Sequence, residues 1–384
     1  MNTPRAVLAF GLALAASSVA CSASSPSPTP AATLPAAKLQ SITQELVTRS
    51  GAPGAIVGVV HGNERWLGVA GRDAPSGGKP LRTDQVVRVA SISKMFTAAL
   101  TMKYVAAGKV RLDDHLARYV PSFPNADAIT IDQLLSHTAG VTTSWFDGPP
   151  LQGVVTADLG HVYAPDEVVS LLAKEPPVGP PGSGMHYSNA DYVLLGVVAS
   201  AVGGDEIGRL LQREVFDLVP LAHTTYGFVN PPSLLRGWYE YQGLVLDMST
   251  LPQASLLSFA GPAGAVHSTI DDLLSFADAL FRKRSVVGAD GLARMMTPAE
   301  PGSYYGHGLM RFCPCADGVG GNQFTGWGHA GNLPGYWSEL VYYPELDLIV
   351  AAAIDRDVID GVALDHAVFD PTLRSIVDAV GATP

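Results

Sequence analysis

Cysteine is nearly missing from this chain: Cys21, Cys313 and Cys315 are the only three among 384 residues. That scarcity excludes a disulfide-stapled scaffold, and no metal-ligand spacing surrounds any of the three. Cys313-Pro314-Cys315 encloses a single residue. A bridge there closes a tight, strained ring, and two unpaired thiols fit the pattern equally well. Charge is sparse too, 15% of residues, with a formal balance of −11. This balance argues against nucleic acid or an anionic membrane surface as a partner, although a pocket can be locally positive inside an acidic protein. No apolar run reaches the about 20 residues that cross a bilayer. Gly-x-Ser-x-Gly and His-Glu-x-x-His are absent, and Gly318-Val319-Gly320-Gly321-Asn322-Gln323 lacks the last glycine of a dinucleotide fingerprint. No cofactor or metal is called for.

What is present begins with a targeting segment. Arg5 supplies a positive start, Ala6 to Ala16 a short apolar run, and Ser17-Ser18-Val19-Ala20 small residues ahead of Cys21. A Cys in that place resembles the lipobox of bacterial lipoproteins; a plain secretory signal with an accidental Cys is the alternative. The Ser-, Pro- and Ala-rich stretch from Ser22 to Ala37 suits a solvated tether. The expected organisation is a signal peptide over 1–20, a lipidated Cys21 and tether over 21–37, and a domain over 38–384 exported to the outer face of the cell membrane.

At 47% hydrophobic the chain has ample material for a core, and single cores stop growing near about 250–300 residues, so two lobes are expected. Leu39, Ile42, Leu46 and Val47 make a helical stripe that stops at Gly51. Ala55 to Val60 and Trp66 to Ala70 read as a hairpin turning at His61-Gly62-Asn63, and Ser338 to Tyr343 with Leu348 to Ile354 as a second one around Pro344-Glu345. A last helix is capped by Asp370, carries Pro371 in its first turn, turns Leu373, Ile376, Val377 and Val380 inward, and ends at Gly381. The chain ends thus look like halves of one antiparallel sheet with terminal helices packed on it. The middle is mainly helical: Ser91 to Ala107, apolar around most of its circumference and therefore buried, then Ile131 to Leu135, Asp166 to Ala173 and Tyr192 to Val202. Ser268 and Asp271 have capping-box spacing before a helix over Ile270 to Phe281. Tyr226 to Ala263, punctuated by Pro and Gly, shows no period that places its elements.

Two Ser-x-x-Lys motifs occur. Ser76-Gly77-Gly78-Lys79 lies in a Pro/Gly loop, where the spacing fixes no geometry. Ser91-Ile92-Ser93-Lys94 opens the buried helix, which puts both side chains one turn apart on one face. A serine there gains free N–H donors and the positive end of the helix dipole. A lysine in apolar surroundings is disfavoured as an ammonium and becomes available as a base. Read alone, the pair is equally a helix cap with a snorkelling lysine. His186-Tyr187-Ser188-Asn189 holds the one Tyr-x-Asn of the chain: a phenol beside a lysine can pass a proton, and the Asn amide both donates and accepts. Gly326-Trp327-Gly328-His329-Ala330-Gly331-Asn332 holds the one His-x-Gly, with glycines that let a strand approach a ligand closely and His329 projecting into the site. Either segment alone also reads as structural, and His137 in Leu134-Leu135-Ser136-His137-Thr138 reads as a buried brace.

Ser-x-x-Lys, Tyr-x-Asn and His-x-Gly, in that order and wide apart, together with Leu112-Asp113-Asp114 and the Leu-Leu-Ser-His-Thr-Ala-Gly segment at 134–140, resemble the serine β-lactamase and D-alanyl-D-alanine carboxypeptidase superfamily. Tyr-x-Asn resembles the class C and DD-peptidase branch; His in place of Lys in the third motif is more like its peptidase members. The resemblance implies an α+β fold of the β-lactamase/transpeptidase type: a sheet lobe over about 38–90 and 264–384 and an inserted helical lobe over about 91–263. It further implies Ser91 as nucleophile, Lys94 and Tyr187 in proton transfer in an order the sequence leaves open, and Asn189 on the acyl side chain. His329 and Gly331 would line the opposite wall, and the backbone N–H groups of Ser91 and Asn332 would form the oxyanion hole. The expected substrate is a small peptide, most simply a D-alanyl-D-alanine cell-wall peptide; an ester or lactam, or slow binding of peptidoglycan or penicillin without turnover, are the alternatives. Arg311 is a weak candidate for reading a substrate carboxylate.

Two outcomes test these readings. Cys21→Ala should move nearly all of the protein from the membrane fraction to the soluble exported fraction, since one acyl chain binds only marginally and two bind firmly; an unchanged distribution removes the anchor. Ser91→Ala should abolish labelling by a fluorophosphonate or penicillin probe while Ser76→Ala labels as the parent does; the reverse pattern moves the nucleophile to the other motif.

Overall fold

The computed structural model describes residues 34–143, 149–241, 243–312, 324–357 and 368–381. Cys21 with its tether up to residue 33, and Cys313 and Cys315, lie outside the described residues. The helices are α1 Ala36–Ser50, α2 Ser93–Ala106, α3 Ile131–Leu135, α4 Pro149–Ala157, α5 Pro165–Leu172, α6 Asn189–Gly203, α7 Ile207–Glu214, α8 Ala254–Ala260, α9 Ile270–Ala277, α10 Gly288–Met295 and α11 Asp370–Ala379. Among them none is long and apolar enough to cross a membrane.

The main sheet unites the two ends of the chain. Strands β1 (Gly54–His61) and β2 (Glu64–Gly71) join β8 (Met310–Phe312), β9 (Gly326–Leu333), β10 (Tyr336–Tyr343) and β11 (Leu348–Ile354) in the order β2-β1-β11-β10-β9-β8. All its neighbours run antiparallel. The expected hairpins are both there, with His61 opposite Glu64 and Tyr343 opposite Leu348. Two small sheets flank it: β3 (Val87–Arg88) and β4 (Thr225–Tyr226) on either side of β7 (Val266–Ser268), and β5 (Trp238–Tyr241) between β6 (Leu244–Asp247) and β12 (Arg356–Asp357). Four of these strands and α8 fill or adjoin the stretch that shows no period in the sequence.

Strand alternation sorts the main sheet into two cores. On β11, Leu348, Val350, Ala352 and Ile354 face a cluster with Leu39, Ile42 and Leu46 of α1 and Leu373, Ile376 and Val377 of α11. The intervening Ile349, Ala351 and Ala353 join the larger cluster that runs through α9 into α2 and α6. Helix α1 ends where Gly51 takes φ 64°, its N–H on the Val47 carbonyl at 3.0 Å. The cap of α9 sits one residue later than the sequence suggests: Thr269 Oγ1 accepts from the Asp272 N–H at 3.1 Å, because Ser268 is still paired to Val87 in β7. Asp370 lies in the first turn of α11 rather than capping it.

Helix α2 is the axis of the helical part. From Ser93 through Met102 every side chain is buried, so it is enclosed on all sides as its composition requires. Phe96 holds it, stacked on Phe276 at 4.0 Å and edge-on to Phe216 at 5.4 Å between ring centroids, each pair adding about 0.5–1.5 kcal/mol beyond burial. Strand β9 presses on the segment just before α2. A Cβ on Gly331 would lie 2.2 Å from the Val89 carbonyl oxygen and 3.1 Å from Ala90 Cβ. Gly331→Ala is therefore expected to destabilise the fold by about 1–3 kcal/mol in urea denaturation. A variant as stable as the parent would show that β9 can draw back from this contact.

Candidate active site

Ser91 sits in a single 3-10 turn, Ala90–Ile92, so α2 proper begins two residues later than the motif predicts, at Ser93. The turn is closed by the Ile92 N–H on the Val89 carbonyl at 3.1 Å. Ala90 carries φ 48°, a left-handed conformation costly for a residue with a Cβ and held by its burial against β9. Ser93 Oγ accepts the Val266 N–H at 3.0 Å, tying the start of α2 to β7. Ser91 itself stays half-buried and open to a ligand. Ser76 and Lys79 lie in a turn outside any helix, near the Arg72–Pro80 bridge.

Lys94 is wholly buried. Its Nζ lies 2.9 Å from Ser91 Oγ, 2.7 Å from Asn189 Oδ1 and 3.1 Å from the Ala263 carbonyl oxygen. Burial pushes its ammonium well below the usual lysine range, against a smaller opposing pull from Asp191. A neutral amine has two N–H bonds and one lone pair. The Asn189 and Ala263 oxygens can only accept, so they take the two hydrogens. The lone pair is then left for Ser91, the one neighbour of the three that has a proton to give.

Tyr187 and Asn189 reach this point through a braced turn. His186 N–H donates to the His137 carbonyl at 2.8 Å. Ser188 caps α6, accepting the Ala190 N–H at 3.1 Å and donating to the Thr142 carbonyl at 2.6 Å. The Tyr187 ring lies 4.9 Å from Lys94 Nζ. Burial pushes the phenol pKa up, so Tyr187 keeps its proton in the resting site.

His329 lies on β9 as its motif suggests, but its imidazole does not project into the cleft. It is fully buried, Nδ1 on the Ala330 carbonyl at 2.5 Å and Nε2 3.0 Å from the Tyr305 hydroxyl. A carbonyl can only accept, so Nδ1 carries the proton and Nε2 accepts from Tyr305. Burial and the nearby Lys94 bring its pKa down to about 3, so the ring is neutral. With both nitrogens taken, the imidazole shapes the wall from behind, and the β9 backbone at Gly331 and Asn332 adjoins the Ser91 turn. Arg311, on β8, pairs with Trp327 of β9, four residues along that strand from Gly331.

Residues that the motifs do not announce complete the site. Tyr305, Tyr192 and the Ala263 carbonyl surround Lys94 and His329. His137, the expected brace, is fully buried with its ring 4.4 Å from that of Tyr187, and its Nδ1 lies 2.7 Å from Asp191 Oδ2. Asp191 had one signal in the sequence: it is the single charged residue of the otherwise apolar α6.

Comparison with known proteins agrees with this geometry. A penicillin-binding protein 4 from Amycolatopsis lactamdurans is 30% identical over 312 residues, 76% of this chain and 75% of that one. The esterase EstB of Burkholderia gladioli is 32% identical over 51% of this chain and 52% of its own. Further curated relatives are matched over 41–59% of their length. The D-amino acid amidase of Ochrobactrum anthropi superimposes with a TM-score of 0.77 over 90% of this chain and 97% of that one at 24% identity, a likeness of fold. Residues 39–370 match the family described as beta-lactamase. The chain belongs to this beta-lactamase family of serine hydrolases, which work through an acyl-enzyme.

Proposed function

We propose that this protein is a D-alanyl-D-alanine carboxypeptidase-like hydrolase of cell-wall peptides, with Ser91 as nucleophile and Lys94 as the base that takes its proton. The observation that carries the reading is the set of neighbours around Lys94 Nζ, two of which can only accept and one of which is Ser91. Ser91 Oγ attacks the carbonyl carbon as its proton moves to Nζ. The oxyanion that forms is held by the backbone N–H groups of Ser91 and Asn332. Tyr187, kept as a phenol, relays the proton from Lys94 to the departing amine, and the carbon–nitrogen bond breaks to leave an acyl-enzyme. Water then adds to the acyl carbon, passes its proton back through the same pair, and restores Ser91. Asn189, with its oxygen engaged by Lys94, keeps its amide N–H for the carbonyl of the acyl side chain. The branch suggested by Tyr-x-Asn and His-x-Gly, and the relation to a penicillin-binding protein, support a peptide substrate. The lipobox-like Cys21 supports a place for the domain on the outer face of the membrane.

A second reading, an esterase on the same scaffold, is favoured by the 32% identity to EstB. A substrate panel separates the two. Purified protein lacking residues 1–33 should release D-alanine from a D-Ala-D-Ala peptide; hydrolysis of a short p-nitrophenyl ester without any D-alanine release would establish the esterase instead. Residues acting as one proton-transfer unit are not additive. Lys94→Ala and Tyr187→Phe should each lower kcat by about 10³-fold or more, and the double variant by little further. Lys94→Arg should be as inactive as Lys94→Ala, because a guanidinium keeps its proton. Multiplicative losses in the double variant would mean that the two residues act in separate steps.

A further inference from the structure

Beneath Lys94 and Tyr187 lies a second polar pair for which the proposed mechanism has no use. Asp191 and His137 are both buried, at 1% and 0% exposure. Two groups address His137 Nδ1: the Ser188 backbone N–H at 3.2 Å and Asp191 Oδ2 at 2.7 Å. Ser188 is the N-cap of α6 and Asp191 stands three residues on, where a capping-box carboxylate would accept the N-cap N–H. Here that N–H turns to the imidazole instead. An amide N–H can only donate, so Nδ1 is the acceptor and bears no hydrogen. Oδ2, the nearer of the two at 2.7 Å, then brings a hydrogen of its own and shares the single lone pair of Nδ1 with the more distant amide.

We infer that Asp191 carries its proton on Oδ2 in the resting enzyme and that, with His137, it is a positioning residue that leaves Lys94 without an ionised counter-charge. The inference rests on the reading of Lys94 as the base. Around Lys94 stand Ser91, Asn189 and the Ala263 carbonyl, the Tyr187 and Tyr192 rings, His137 from the end of α3, His329 from β9 and Asp191 from α6. Of these, Asp191 alone can be an anion near neutral pH. Ionised, it would hold Lys94 as an ammonium and stop it accepting the Ser91 proton. Burial acts in the same sense as the hydrogen count, raising the Asp191 carboxyl well above the carboxylate range and lowering His137, against the pull of Lys94 on Asp191. Among the described residues, Asp191 Oδ1 and His137 Nε2 have no hydrogen-bond partner. An unpartnered Oδ1 costs less on a carboxylic acid than on a carboxylate. The N-terminal turn of α6 favours the anion, but burial is the larger influence on this carboxyl.

The test uses the whole domain and Asp191→Asn, which keeps the shape, keeps a hydrogen donor toward Nδ1 and cannot ionise. In infrared difference spectra at neutral pH, the parent should show a carboxylic-acid C=O band that Asp191→Asn lacks. No such band in the difference overturns the inference. The second arm is His137→Phe, which removes the acceptor. Asp191 is then expected to ionise and pair with Lys94, raising the midpoint of the acid limb of kcat/KM by roughly one pH unit or more. Adding Asp191→Asn to that variant should reverse most of the rise, a rescue that a merely structural role would not produce. A rise that persists in the double variant overturns the inference, as does an Asp191→Asn single variant whose midpoint drops by a unit. If His137→Phe does not fold, the infrared arm decides alone. The infrared arm needs no turnover, so it stays readable if Ser91→Ala proves active, a result that would sink the catalytic reading instead.

Discussion

A lysine sealed inside an apolar helix has two stable conditions: paired with an anion, or without its proton. Lys94 is fully buried on α2, and its three hydrogen-bond partners are uncharged. The ionic solution would require Asp191 as a carboxylate in the same low-dielectric interior, with two desolvation costs to recover from one attraction. The arrangement of donors around His137 turns away from it. Much of the site follows from this choice. In the neutral state proposed for Lys94, Asn189 and the Ala263 carbonyl take the amine's two hydrogens and its lone pair faces the Ser91 hydroxyl.

The constraint also explains why rigid elements surround the amine. A neutral base is useful only if its lone pair is aimed, so α2 is gripped by Phe276 and Phe216, tied to β7 through Ser93, and backed by β9 at Gly331. His329 belongs to the same support. Its Nδ1 proton is committed to the Ala330 carbonyl and its Nε2 to Tyr305, so it holds the wall without adding a charge that would compete with Lys94. In the proposed mechanism Tyr187 is then the proton carrier, a phenol whose ring lies over the lysine.

Much of this was legible in the chain itself. Period-two alternation marked both hairpins of the main sheet, and the all-round apolar run after Ser91 marked the buried helix. Context chose Ser91 over Ser76: one spacing lies on a helix, where it has geometry, and the other in a loop, where it has none. The rest depended on contacts that no local pattern encodes. The α9 cap moved from Ser268 to Thr269 because β7 had first claim on Ser268. Strands of two to four residues between Tyr226 and Ala263 are too short to show a period. His329 turned inward because Tyr305, 24 residues away, offers its nitrogen a donor. Asp191 was visible only as a lone charge on an apolar helix, and its partner, His137, is 54 residues distant.

The state of Lys94 is the point on which the rest depends, and it can be observed without any substrate. With lysine side chains labelled at 15Nζ, the Lys94 resonance, assigned by its loss in Lys94→Arg, should have the shift of a neutral amine at pH values well below the ordinary lysine pKa of 10.5. It should return to the ammonium shift only as the pH falls further. A resonance that remains that of an ammonium up to pH 10.5 would contradict the account, and would leave Ser91 without a base in the resting enzyme.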